Sequence, residues 1–253
     1  TLTFTDTSPT IGGNFAGGAN DLTLGSNLDL ASISGTVAGF GTMDVNSRTF
    51  TVSKDASATT VAVSTGTLDL TAGDITGNVT VSGAGTVTVA SGKSISGNLT
   101  LTGAGATVNV AGSVTGNLTA AGQAFTVGAS GFDTSKFGGV TGTYGVITGG
   151  GNAIALEKAI TATGLTLATG GSLAVTGSGS LAGALTVNGT NTLNLSVANS
   201  VTGNVTLGSN STLTFTDTSP TIGGNFAGAG FDLTLGSSLD LASIAGTVAG
   251  FGT

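Results

Sequence analysis

Charged side chains are so few that each group can be weighed for chemistry separately. Four lie close together, Asp44, Arg48, Lys54 and Asp55, and cleavage of an acidic polysaccharide requires acidic and basic groups on one face. This group has a single Arg and no second carboxylate pair at a suitable spacing, so an excursion of the chain tied by salt bridges accounts for it better. The only Glu, Glu157, stands beside Lys158, whereas glycoside hydrolysis needs two carboxyl groups flanking the bond. His and Cys are absent, which removes the commonest general base and most zinc ligands. Asp29 and Asp69 sit in Leu-Asp-Leu alternations and read as a solvated strand face. Thr5-Asp6-Thr-Ser-Pro9 and its copy Thr216-Asp217-Thr-Ser-Pro220 read as turns in which Asp bonds its own backbone. A weak calcium site there stays open, since calcium accepts such oxygens. No catalytic, cofactor-binding or metal-ligating residue is assigned, and no enzymatic activity is expected.

The uncharged polar residues recur in phase. Asn78-Val-Thr80, Asn98-Leu-Thr100, Asn117-Leu-Thr119 and Asn204-Val-Thr206 match the glycosylation sequon, but their fixed phase favours a structural ladder that would hide the amide. Thr86-Val-Thr88, Thr100-Leu-Thr102, Thr212-Leu-Thr214 and Thr214-Phe-Thr216 resemble the outward rows of ice-binding solenoids. These triplets do not hold one phase along the chain, and β-propensity explains them as well.

The elements that must carry these residues are set by two nested repeats. Thr1–Thr42 returns at Thr212–Thr253 with 37 of 42 positions identical and an offset of 212 − 1 = 211 residues. Near-identity over that length marks recent duplication. The chain therefore divides into one long unit, 1–211, and the start of the next, 212–253, within one continuous solenoid over 1–253. Inside the unit runs a shorter motif, an aliphatic residue, any residue, Gly, then Asn or Thr. Its starts are Ile11, Ile33, Ile75, Ile95, Val114, Val140, Leu181, Val201, Ile222 and Ile244, with a looser copy at Ile160. Ten steps separate Ile11 from Ile222, about 21 residues each, the period of one solenoid coil. Period-2 alternation within each copy, as in Thr86-Val-Thr-Val89, points alternate side chains inward and outward.

The expected fold is all-β, a single-stranded β-solenoid with roughly 12 coils in the chain. Right-handedness follows by analogy with known coils of this size. The motif starts should stack as an aliphatic core, with Val79, Leu99 and Leu118 in a second stack, since no coil buries its apolar face alone. Asn14, Asn78, Asn98, Asn117, Asn204 and Asn225 should form a ladder, each amide donating to the next coil. Phe15, Phe50, Phe125 and Phe226 read as core fillers. A net charge of −7 with five basic residues disfavours nucleic-acid phosphates. No run of about 20 apolar residues is present to insert in a membrane.

The motif Ile-x-Gly-Asn, the Thr/Ser/Asn/Gly/Val bias and the period near 20 resemble the repeat rods of filamentous-haemagglutinin-type adhesins and autotransporter passengers. That resemblance, which spans the whole chain, implies a right-handed β-helix on a bacterial surface or outside the cell. It implies a structural segment of a filament, with a role in adhesion or cell–cell cohesion. The partners it implies are the protein itself, by tandem continuation or by end-to-end and lateral assembly, and cell-surface glycans. The alternatives are a stalk that itself binds a glycan or receptor, a carbohydrate-active β-helix enzyme, and an ice-binding solenoid.

Overall fold

The computed structural model describes residues 2–4, 6, 9–195, 198, 200–217 and 219–252. It is an all-β chain, 56% strand, whose parallel turns form a β-solenoid of about 12 turns. Its contacts divide it into two compact units, 1–123 with 136–141, and 124–135 with 142–253.

In the first unit one inward column runs through Leu22, Met43, Val61, Val79, Leu99, Leu118 and Val140, each paired in parallel with the next. The steps are 21, 18, 18, 20, 19 and 22 residues, so the coil length varies around the sequence period. A second column runs Phe15, Val37, Ala56, Ile75, Ile95, Val114 and Phe137. A third face carries Leu28, Phe50, Leu68, Val87 and Val108. Apart from Phe15 and Val140, which are half-buried, the residues of these columns are buried. β-Branched and aliphatic residues in alternation give each strand one dry and one wet face.

Three motif starts, Val140, Ile11 and Ile33, fall elsewhere than their sequence spacing implies. Val140 pairs with Leu118, while Phe137 pairs with Val114 and occupies the coil-start position. Ile11 pairs with Ile33 in a short column of their own, and the column leading to Ile75 passes instead through Val37 and Ala56. Register shifts between Val37 and Phe40, between Ser57 and Thr60 and, before Val140, between Val114 and Asn117 accompany these changes. A bulge adds a residue without adding a ladder position, so counting residues misaligns the coils across it.

In the second unit the motif starts Ile160, Leu181, Val201, Ile222 and Ile244 pair in unbroken succession, and all five are buried. Beside them runs a column through Phe125, Ile147, Leu165, Leu185, Val205, Phe226 and Val248. Phe125 and Phe226 are buried here, as is Phe50 in the first unit. The strand Val205–Phe215 crosses the boundary between the long repeats at 211/212. It pairs back to Leu185–Val187 and Gly189–Leu193 and forward to Leu233–Leu235.

Candidate functional site

The corners of the coils are where polar groups of fixed identity recur. In the motif the Asn directly precedes an inward residue, and at Asn14, Asn78, Asn98, Asn204 and Asn225 its Oδ1 accepts a backbone N–H from the next coil. Asn98 N–H donates to Asn78 at 2.9 Å, and Asn117 N–H to Asn98 at 2.8 Å. Thr36 N–H donates to Asn14 at 3.0 Å, and Asn225 and Thr247 N–H donate to Asn204 and Asn225 at 2.9 Å each. Polarity is opposite to that expected, because the side-chain oxygen accepts along the axis and the amide nitrogen does not donate. Nor are the amides hidden: all six Asn side chains are exposed. The ladder satisfies a backbone donor that the turn at each corner would otherwise leave to water.

The Gly of the motif is explained by the same contact. A Cβ at Gly116 would lie 2.5 Å from Asn98 Oδ1, at Gly224 2.6 Å from Asn204 Oδ1, and at Gly246 2.5 Å from Asn225 Oδ1. The Asn of one coil thus fills the space that a side chain at the Gly of the next would need. Close approach, not a left-handed backbone, selects glycine at these three positions, whereas Gly92, at φ 75°, is a turn of the conventional kind.

Sequence reasoning missed that Asp performs the same task. Asp21 Oδ1 accepts Thr42 N–H at 2.7 Å, Asp55 accepts Asp74 N–H at 3.0 Å, and Asp74 accepts Ser94 N–H at 2.6 Å. Asn27 accepts Thr49 N–H at 2.9 Å and Asn210 accepts Asp232 N–H at 3.1 Å. The available signal was positional: each of these residues directly precedes an inward column or strand residue. Asp29, read as a solvated residue, caps the 3₁₀ turn Leu30–Ser32 through Ala31 N–H at 2.9 Å and accepts Ser53 Oγ at 2.6 Å.

The four-charge group is not assembled into a site. Asp44 accepts Asn46 N–H at 3.0 Å, Lys54 Nζ donates to the Ile33 carbonyl, and Asp55 serves the corner ladder. Arg48 is exposed in the turn after Asn46. Each of these bonds goes to backbone, in place of the expected salt bridges. Lys54 and Asp55 do line an open groove of about 360 Å³ with Thr36, Val37, Ser57 and Thr76, and Arg48 lines a separate one with Asn46 and Ser64. Glu157 is exposed, and Glu157 and Lys158 N–H both donate to the buried Thr134 Oγ1, at 2.8 and 3.0 Å. In the Asp-containing turns, Asp217 accepts Ser219 N–H at 3.1 Å, while Thr5, Thr7, Ser8 and Thr218 lie outside the described residues. Among the described residues no group of three or more acidic side chains is placed to hold a metal ion, and no helix is long and apolar enough to cross a membrane.

Outward faces carry hydroxyl columns. Thr49, Thr67, Thr86 and Thr107 align on one face, beside Thr51, Asp69, Thr88 and Asn109. Thr80, Thr100, Thr119 and Thr141 align on another, with Thr119 and Thr141 hydroxyls 2.9 Å apart. Thr86 and Thr100 triplets therefore belong to different faces. No protein-family model, curated protein or solved structure matches the chain.

Among the described residues five polar side chains are buried, Ser26, Thr134, Asn191, Ser200 and Ser211. Asn191 points inward at a position in register with Leu213, and its Nδ2 donates to the Asn188 and Gly189 carbonyls at 2.9 and 3.2 Å. Its role is to fasten the bend at Asn188–Gly189 from inside.

Proposed function

We propose that the chain is a structural repeat segment of an extracellular or cell-surface filament, similar in kind to filamentous-haemagglutinin and autotransporter rods, and chemically quiet. The observation that supports this best is the seam at 211/212. One strand, Val205–Phe215, runs through it and pairs forward to the next copy in the same parallel register. A further long repeat is thus added by the ladder that adds any coil, with no linker, and repetition sets length. Neighbour-to-neighbour stability makes such an array extensible. In this reading the hydroxyl columns and exposed Asn corners face other filaments or cell-surface glycans, and adhesion or cell–cell cohesion is the outcome.

Imaging the native assembly tests the proposal. Ten coils at the normal interstrand spacing give an axial repeat of about 48 Å. Thin unbranched filaments with that repeat are expected; discrete particles without it would overturn the reading. Binding of the isolated chain to a glycan array would place the adhesive function on this segment itself.

A further inference from the structure

Transfer of a sugar to Asn asks two things of the acceptor, an amide nitrogen open to solvent and a hydroxyl two residues further on. The motif corners supply both. A backbone N–H can be accepted only by the oxygen of a carboxamide, so the corner ladder decides which amide atom faces which way. At Asn78, Asn98 and Asn204 the oxygen is held by the N–H of Asn98, Asn117 and Asn225. The nitrogen is then the outer atom, and these side chains are exposed. Asn117 is exposed too and turns its oxygen to the next coil, where a Cβ at Gly139 would collide with it. Among the described residues, none of these four Nδ2 groups donates a hydrogen bond within the chain. Two residues on stand Thr80, Thr100, Thr119 and Thr206. They share the outward face with the Asn because the residues between, Val79, Leu99, Leu118 and Val205, are buried.

Elsewhere the chain separates the sequon from the geometry. Asn188-Gly-Thr190 and Asn210-Ser-Thr212 are sequons whose Nδ2 is engaged, with the Leu167 carbonyl at 3.0 Å and with Asp232 Oδ2 at 3.3 Å. Asn194-Leu-Ser196 is a sequon whose Ser196 lies outside the described residues. Asn14-Phe-Ala16 and Asn225-Phe-Ala227 keep the exposed corner and its ladder, yet carry Ala where the hydroxyl belongs.

We propose that Asn78, Asn98, Asn117 and Asn204 are N-glycosylation sites, the amide oxygen facing the next coil while Nδ2 carries the sugar. The donor is a sugar activated by a diphosphate and brought by a separate transferase. Nδ2 bonds to the anomeric carbon, and the bond from that carbon to the phosphate oxygen breaks. The diphosphate leaves with the electron pair, and Nδ2 yields one proton to base. Asn78, Asn98 and Asn117 lie on successive coils about 4.8 Å apart, a spacing that suits single or short sugars and crowds branched ones. Filament formation is not required for any of this, so the two readings can fail separately.

Peptide mapping of the native protein by mass spectrometry tests the proposal. Hexose or hexosamine is expected on the four corner residues; bare Asn at all four, or sugar confined to Asn188 and Asn210, overturns it. The geometry is tested on the folded chain with a soluble Asn-x-Ser/Thr glucosyltransferase and UDP-glucose. Relative to synthetic peptides of each sequon, the corners should react about tenfold faster than Asn188 and Asn210, which must first give up a hydrogen bond. Equal relative rates would deny the open nitrogen its role. Thr100→Val should remove the sugar from Asn98 alone and leave exchange of the Asn117 amide unchanged. Sugar retained on Asn98 in that variant, or found on Asn14 or Asn225, overturns the sites as named.

Discussion

Leu30→Ala and Leu241→Ala delete the same side-chain atoms at the same place in a duplicated sequence, and the chief difference in their surroundings is cover. Leu30 is fully enclosed and Leu241 is 54% exposed. A buried Leu→Ala costs about 2–5 kcal/mol, part of it for the cavity left behind. At Leu241 only about half of a transfer term of roughly 1.5–3 kcal/mol is at stake, and an open surface leaves no cavity, so the cost should be near 1 kcal/mol. The two substitutions should therefore differ by about 1–4 kcal/mol. Because they lie in different units, Leu185→Ala is the control: Leu185 is buried in the unit that contains Leu241 and should cost as much as Leu30. Urea unfolding with comparison of midpoints and slopes measures the effects, and amide exchange separates local opening of the last coil from global unfolding. Equal losses at Leu30 and Leu241, within about 0.5 kcal/mol, would show that stacking neighbours do not govern stability here, contrary to the nearest-neighbour picture.

Other expectations concern the corners and the charged group. Asn98→Ala should lower stability by about 1 kcal/mol, the usual worth of one hydrogen bond. Asn98→Asp should cost less, because a carboxylate oxygen still accepts Asn117 N–H; equal thermal midpoints for the two variants would deny the ladder its role. Gly97→Ala should cost about 1–3 kcal/mol as overpacking, since the new Cβ would meet the Gly77 carbonyl at 2.4 Å. At Gly92, open on all sides but with φ 75°, Ala should cost about 1 kcal/mol through backbone strain alone, and Asn should restore most of it. Incubation with acidic polysaccharides should yield no product; turnover that disappears in Arg48→Ala would overturn the non-enzymatic reading.

Much of the architecture could be read from alternation and period, because inward residues must repeat once per coil for any core to form. In the second unit the motif spacing leads directly from Ile160 to Ile244. In the first unit the same reasoning misplaces Ile11, Ile33 and Val140, where register shifts near residues 37–40, 57–60 and 114–117 change the residue count without changing the ladder. Polarity of the Asn contacts was not legible either, for composition fixes which groups meet but not which of two amide atoms faces the neighbour. Asp21, Asp55 and Asp74 escaped notice because charge suggests solvation. Their position immediately before Leu22, Ala56 and Ile75, the place that Asn98 holds before Leu99, was the better guide.

The columns and corners divide the work of specifying this fold. Along one column Leu22, Met43, Val61, Val79 and Leu99 replace one another, so the core demands only apolar volume and would accept a coil shifted along the strand by two residues. Such a shift keeps the inward face inward, and the columns alone cannot forbid it. The corners can. A two-residue slip would carry Asn98 away from the N–H of Asn117 and bring a side chain into the space where Gly116 admits its oxygen. Where these corners recur, register is therefore held by Asx and Gly, while length and stiffness are left to the aliphatic stack. The duplicated segments agree at Asn14 and Asn225 and at Gly35 and Gly246, so at these corners a tandem copy meets its neighbouring coil in the same step.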